Sequence, residues 1–151
     1  MKKFVRVGYK GHYEMAVDPK DVSAIVVNFE HTKKHIGAYI SATIFFNISK
    51  DIHKNLDDHT IILKIDDDVT VDNCYYKILS AVDNILNNNR YVSFMTIHSN
   101  PDTTVFINTD EVIKVLKIYD EKYEIFFSRA DISLTVSKTK IDIIAQIINH
   151  S

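Results

Sequence analysis

Four short clusters hold the side chains from which chemistry is usually built. His31-Thr32-Lys33-Lys34-His35 sets two histidines four apart, a spacing that lets both rings reach one metal ion if the segment is helical. No Glu follows His31, as the zincin pattern requires, and Lys33 and Lys34 would repel a cation, so a solvated loop is expected. Asp66-Asp67-Asp68 with Asp72 offers hard oxygen ligands for calcium. An EF-hand loop opening at Asp66 needs Gly at position 71 and Glu at position 77, where this chain has Val71 and Lys77. The acids are expected instead ahead of a helix N-terminus, whose dipole they suit. Asp57-Asp58-His59 has the groups of an acid–base pair, but beside a strand start it reads as a polar turn. Cys74, at the start of a helix, would be a nucleophile only if the dipole lowered its pKa. No His stands near it in a recognisable motif, and a small, half-buried helix residue is expected.

Two further groupings concern ligands. Nucleic-acid modules interleave exposed aromatics with Arg and Lys on a sheet face. Tyr9, Tyr13, Phe45, Phe46, Phe126 and Phe127 are available, but Arg6, Arg90 and Arg129 are the only arginines. The Ile-Phe-Phe runs at 44–46 and 125–127 are therefore assigned to the core, and nucleic acid is not expected as a partner. His12, Tyr13, His98 and Asn100 would gather at a cleft if the two halves of the chain packed symmetrically. Gly8, Gly11 and Gly37 are the only glycines. Phosphate loops, dinucleotide turns and nucleophile elbows mostly demand Gly, so these chemistries are not expected. No catalytic, cofactor-binding or metal residue is assigned, and the chain is read as non-enzymatic.

The elements that would position these groups are mostly strands. Alternation predicts strands at 4–9, 13–17, 22–29, 39–48 and 60–65. A helix follows over 72–86, with Tyr75, Ile78, Leu79, Val82, Ile85 and Leu86 at helical spacing and Asn87-Asn88-Asn89 as its stop. Further strands are predicted at 91–98, 104–107, 112–119, 123–127 and 132–136. A closing helix places Ile141, Ile144, Ala145 and Ile148 on one face. In the strand at 112–119, Val112, Leu116 and Ile118 oppose Ile113, Val115 and Tyr119, which predicts a strand covered on both sides.

The order repeats, and so do residues. Sliding residues 2–30 onto 92–120, with no gap, sets Phe4 on Phe94, Val7 on Ile97, Met15 on Val105 and Val17 on Ile107. Val22 then meets Val112, Ile25 meets Val115, and Phe29-Glu30 meets Tyr119-Asp120. The polar punctuation matches too, Val17-Asp18-Pro19-Lys20-Asp21-Val22 against Ile107-Asn108-Thr109-Asp110-Glu111-Val112. The expected fold is α+β, with two fused related units, 1–89 and 90–151. Each is a small antiparallel β-sheet or barrel with a C-terminal helix, and the two are tightly joined because no Pro-, Gly- or Ser-rich linker divides them.

Composition sets outer bounds. At 151 residues the chain is one ordinary domain or two small ones sharing a core. A net charge of −2 disfavours a nucleic-acid module by electrostatics alone. The single cysteine rules out an internal disulfide and suits a reducing compartment. No apolar run has the length of a membrane span, and charge at Arg6 and Lys10 interrupts any signal-peptide core. A cytoplasmic origin without membrane partners is expected.

In its Ile, Asn, Asp and Lys usage, its few glycines and its duplicated β-rich units, the chain resembles small accessory and structural virion proteins of AT-rich tailed bacteriophages. The likeness lies in overall character and transfers no residue roles. It implies an auxiliary capsid or connector component, located in the virion or the cytoplasm, with other protein subunits as partners. The alternative expectation is an inhibitor or sponge module binding a small ligand or a partner in the infected cell.

Overall fold

The computed structural model describes residues 3–9, 12–31, 38–47, 60–67, 71–88, 91–95, 103–119, 122–128, 133–137, 139 and 141–150. Strands β1 (Val5–Tyr9) and β2 (His12–Val17) lead through a 3-10 turn at Pro19–Asp21 into β3 (Val22–His31), β4 (Ala38–Phe46), β5 (Thr60–Asp67) and helix α1 (Val71–Leu86). The chain then runs through β6 (Tyr91–Met95), β7 (Thr103–Asn108), a 3-10 turn at Thr109–Glu111, β8 (Val112–Tyr119), β9 (Lys122–Phe127), β10 (Ser133–Ser137) and α2 (Ile143–Asn149). The fold is β-rich α+β, all its pairings are antiparallel, and a helix closes it.

Three sheets form. β1 and β2 make a ribbon, β5-β4-β3-β7-β6 a five-stranded sheet, and β10-β9-β8 a three-stranded one. The five-stranded sheet joins strands from before and after residue 89 at the β3–β7 ladder, where Ala24 meets Ile107 and Asn28 meets Thr103. Gly8 takes φ 109°, and the β1–β2 register shifts beside it, between Val7 and Tyr9. A side chain at that φ would clash with the backbone, which is what Gly supplies there.

Two apolar cores lie on either side of β3. One gathers Val7, Val17, Ile25, Val27, Ile44, Ile78, Val82 and Ile85. The other gathers Ala24, Val105, Ile107, Tyr123, Ile125, Phe127, Val136 and Ile143. Alternation along β3 therefore sends Ile25 and Val27 to the first core and Ala24 and Val26 to the second. The strand covered on both sides is thus β3, not β8 as the apolar pattern at 112–119 predicts. β8 is an edge strand whose residues are mostly exposed.

The helices follow sequence closely in extent but not always in facing. α1 buries Ile78, Val82 and Ile85 as its spacing predicts. Its C-terminus is held by side chains: Asn88 Nδ2 donates to the Asn84 carbonyl at 2.7 Å, and Asn87 Nδ2 to Asp83 Oδ2 at 3.1 Å. α2 buries Ile143 and packs Ile147 against the second core, leaving Ile144 and Ile148 exposed, so the predicted Ile144–Ile148 face is the outer one. Isoleucines at 143, 144, 147 and 148 make two apolar stripes. The cap fixes where the helix starts, with Asp142 Oδ1 accepting from Ala145 N–H at 3.1 Å.

The two halves share local geometry as well as element order. Asp18 Oδ1 accepts from Lys20 N–H at 3.1 Å, and Asn108 Oδ1 from Asp110 N–H at 3.2 Å, each opening a 3-10 turn. A bulge follows in both, between Val22 and Ala24 of β3 opposite β4 and between Val112 and Lys114 of β8 opposite β9. Past each Ile-Phe-Phe run, Asn47 N–H donates to the Asp21 carbonyl and Ser128 N–H to the Glu111 carbonyl, both at 2.8 Å.

Candidate functional site

Among the described residues, β8 is an edge strand on which large apolar side chains are exposed. Its inner edge is bonded to β9, with Val112 on Phe127 and Leu116 on Glu124. Its outer edge has no neighbour in the sheet order. Along it Ile113 is 66% exposed, Leu116 48%, Ile118 38% and Tyr119 67%. Lysines alternate with these groups and lean over the rings of the neighbouring strand. Lys114 Nζ lies 4.3 Å from the Phe126 ring centre and Lys117 Nζ 5.9 Å from that of Tyr123. Lys122 on β9 reaches back over Tyr119 at 5.4 Å. Such contacts hold the ammonium groups by cation–π attraction and leave their stems over apolar surface.

A strand edge with no neighbour presents N–H and C=O groups to which another strand can pair, and bulges or charge restrict where along the edge it does so. β8 has its bulge at the start, between Val112 and Lys114, and a second irregularity between Lys117 and Tyr119. No Pro interrupts it. Its chemistry is that of a docking rail: backbone hydrogen bonds for affinity and alternate apolar side chains for choice of partner.

The β1–β2 ribbon frames a depression of about 430 Å³ lined by Phe4, Val5, Arg6, Glu14, Met15 and Ala16. Arg6 and Glu14 form an ion pair across it at 2.8 Å, and Phe4 stands 62% exposed beside it.

The residues singled out in the sequence are not brought together at either place. His31 ends β3, and His35 lies outside the described residues. Asp66 and Asp67 end β5 opposite Tyr39 and Ala38, and α1 begins at Val71, so the acids do precede a helix start. Asp57, Asp58, His59 and Asp68 lie outside the described residues, as do His98 and Asn100 of the supposed cleft. His12 and Tyr13 are in β2, and Cys74 is in the first turn of α1. Among the described residues no three of His, Cys, Asp and Glu gather as a metal site. Phe46 packs against the first core, Phe45 packs against the second and Phe127 is buried in it, as the Ile-Phe-Phe runs predict, whereas Phe126 is in neither and lies half-buried under Lys114. No helix among the described residues is long and apolar enough to cross a membrane.

In the sequence the β8 edge is an apolar run broken at two positions. Its two lysines, at 114 and 117 on a strand with apolar residues on both faces, are the signal that it is not buried.

No protein-family model and no curated protein matches the chain. Among solved structures, it is similar over 98% of both chains to the LytTr DNA-binding domain of a Bacillus cereus response regulator, at 10% identity and a TM-score of 0.39. A likeness at that level is too low to transfer fold or function.

Proposed function

We infer that this chain is a non-enzymatic structural protein that works by protein–protein docking along β8. The observation that carries the reading is the row Ile113, Leu116, Ile118 and Tyr119, exposed on a strand edge with no neighbour in its sheet. Large apolar side chains side by side on a free edge are uncommon on a chain that works alone, and they favour a partner that covers them. The two halves are read as copies of one strand-strand-turn-strand-strand-strand-helix unit. Matching caps, bulges and carbonyl contacts support that reading. Within such a role, the compositional resemblance favours an auxiliary capsid or connector component of a phage virion, with self or heterologous subunits as partners. An inhibitor or sponge module is the second reading, favoured by the depression along β1 and β2.

The test is capture on immobilised protein, using the same chain and an extract of the cells that make it, with wild type set against Ile113→Lys/Leu116→Lys/Ile118→Lys. Circular dichroism establishes that the variant is folded. The reading expects the folded variant to lose the proteins that wild type retains. Equal retention by both, or retention by neither, would overturn it.

A further inference from the structure

The join between the two halves is a template for a join between two molecules. β3 and β8 hold the same place in their respective halves, as do β2 and β7. Within the chain, β7 of the second half closes the outer edge of β3. Among the described residues the corresponding outer edge of β8 is open, and so is that of β2, which pairs there with β1 alone. The molecule thus exposes one copy of each side of a joint that it also makes internally.

Burial at equivalent positions follows this. Ser23 is 1% exposed and Ala24 is fully buried in the second core, whereas Ile113 is 66% exposed and Lys114 is exposed. Val26 packs into the second core beside Val105, whereas its counterpart Leu116 is 48% exposed. On the other side, Thr104 is 6% exposed and Phe106 half-buried, whereas Glu14 and Ala16 on β2 are exposed. These exposed positions have buried or half-buried twins, and the twins lie along the β3–β7 ladder and the cores on its two faces.

We propose that the partner of the β8 edge is β2 of a second copy of this chain, paired antiparallel in the register that β3 and β7 use. This rests on β8 being the docking edge and adds the identity of what docks. The β3–β7 register sets Ala24 on Ile107, Ile25 on Phe106, Val26 on Val105 and Val27 on Thr104. Transferred to the open edges, it sets Lys114 on Val17, Val115 on Ala16, Leu116 on Met15 and Lys117 on Glu14. Leu116 then caps the first core of the next copy at Met15, as Val26 caps the second core at Val105. Lys117 faces the carboxylate of Glu14, which already holds Arg6 at 2.8 Å, so the new pair is opposite in charge. Because the two edges differ, the contact is head-to-tail and repeats from copy to copy, giving a ring if the rotation closes and a filament if it does not.

Two single-cysteine proteins, Glu14→Cys and Lys117→Cys, each also carrying Cys74→Ser, test this when mixed under oxidising conditions. The expected product is a disulfide-linked dimer that forms in the mixture and in neither protein alone. Lys117→Cys linking to itself would mean that two β8 edges meet, and would overturn the head-to-tail register. A protein carrying both cysteines that closes within one chain at high dilution would mean that β2 returns to its own β8, which also overturns it. Charge reversal keeps Cys74 in place and guards against misfolding. Glu14→Lys and Lys117→Glu should each lower the mass measured by light scattering at a fixed concentration, and the double reversal should restore it. Failure of the double reversal to restore the mass overturns the proposal. If the Ile113→Lys/Leu116→Lys/Ile118→Lys variant still loses capture of another protein while no cysteine pair links, the docking edge stands and the second copy as its occupant falls.

Discussion

Replacing Asn108 by Ala probes the joint on which the account depends. Asn108 is 1% exposed, and its side chain makes two bonds. Nδ2 donates to the carbonyl of Val22 at 2.8 Å, tying the end of β7 to the start of β3, and Oδ1 accepts from Asp110 N–H at 3.2 Å. Val22 is fully buried, so its carbonyl has little access to water once the donor is gone. An orphaned buried acceptor costs about 1–3 kcal/mol. Loss of the cap adds about 0.5–2 kcal/mol, at the low end here because Asp110 is exposed. The expected loss is therefore about 1.5–3.5 kcal/mol, a large share of the roughly 5–15 kcal/mol that holds a domain folded. With a urea slope of about 2 kcal/mol per molar, mid-range for a small protein, the unfolding midpoint should fall by roughly 0.8–1.8 M. Asn108→Asp keeps the acceptor for Asp110 but sets a carboxylate against a carbonyl, and should cost at least as much. Asn87→Ala, which removes an exposed bond to Asp83, serves as control and should stay within about 0.5 kcal/mol of wild type. An Asn108→Ala protein as stable as wild type would refute the reasoning, because the bond from β7 to β3 would then contribute nothing.

Three further outcomes follow from the same geometry. Ile44→Ala and Ile125→Ala, at fully buried positions in the two cores, should each cost about 2–5 kcal/mol by thermal denaturation, while Ile113→Ala at 66% exposure should change monomer stability by less than about 0.5 kcal/mol. A large cost at Ile113 would show the β8 edge to be covered within the monomer. Gly8→Ala should destabilise by about 1–3 kcal/mol, since φ is 109° there, and a neutral result in urea unfolding would show that the β1 bulge has another form. Leu116→Ala with Ile118→Ala should weaken self-association about 30-fold by sedimentation equilibrium. Full burial of such a side chain is worth about 1.5–3 kcal/mol, and the exposed fractions of 48% and 38% leave about 1 kcal/mol each to gain.

Most of the secondary structure was legible because the signals were local. Alternation marked every strand, and Ile78, Val82 and Ile85 fixed the buried face of α1. The Asp18 and Asn108 turns stood out because short polar side chains at those points cap a 3-10 turn. Pairing was not legible, because alternation states which residues share a face and not which strand lies alongside. The apolar runs at 22–29 and 112–119 look alike, yet β3 is covered by β4 and β7 while β8 has β9 alone. The facing of α2 was lost for a related reason: four isoleucines form two stripes, and only the Asp142 cap and the second core select Ile143 and Ile147. The docking edge is marked in the sequence only by Lys114 and Lys117, which interrupt its apolar run where 22–29 has no charged residue.

Solution mass by light scattering, over a concentration range from dilute to near the solubility limit, tests the central claim most directly. Wild type should start near the 17.4 kDa of one chain and climb through multiples of it. Leu116→Lys/Ile118→Lys, folded by circular dichroism, should stay at one chain throughout. A wild-type mass that stays at one chain at every concentration, or a variant that assembles as wild type does, would contradict assembly through the β8 edge.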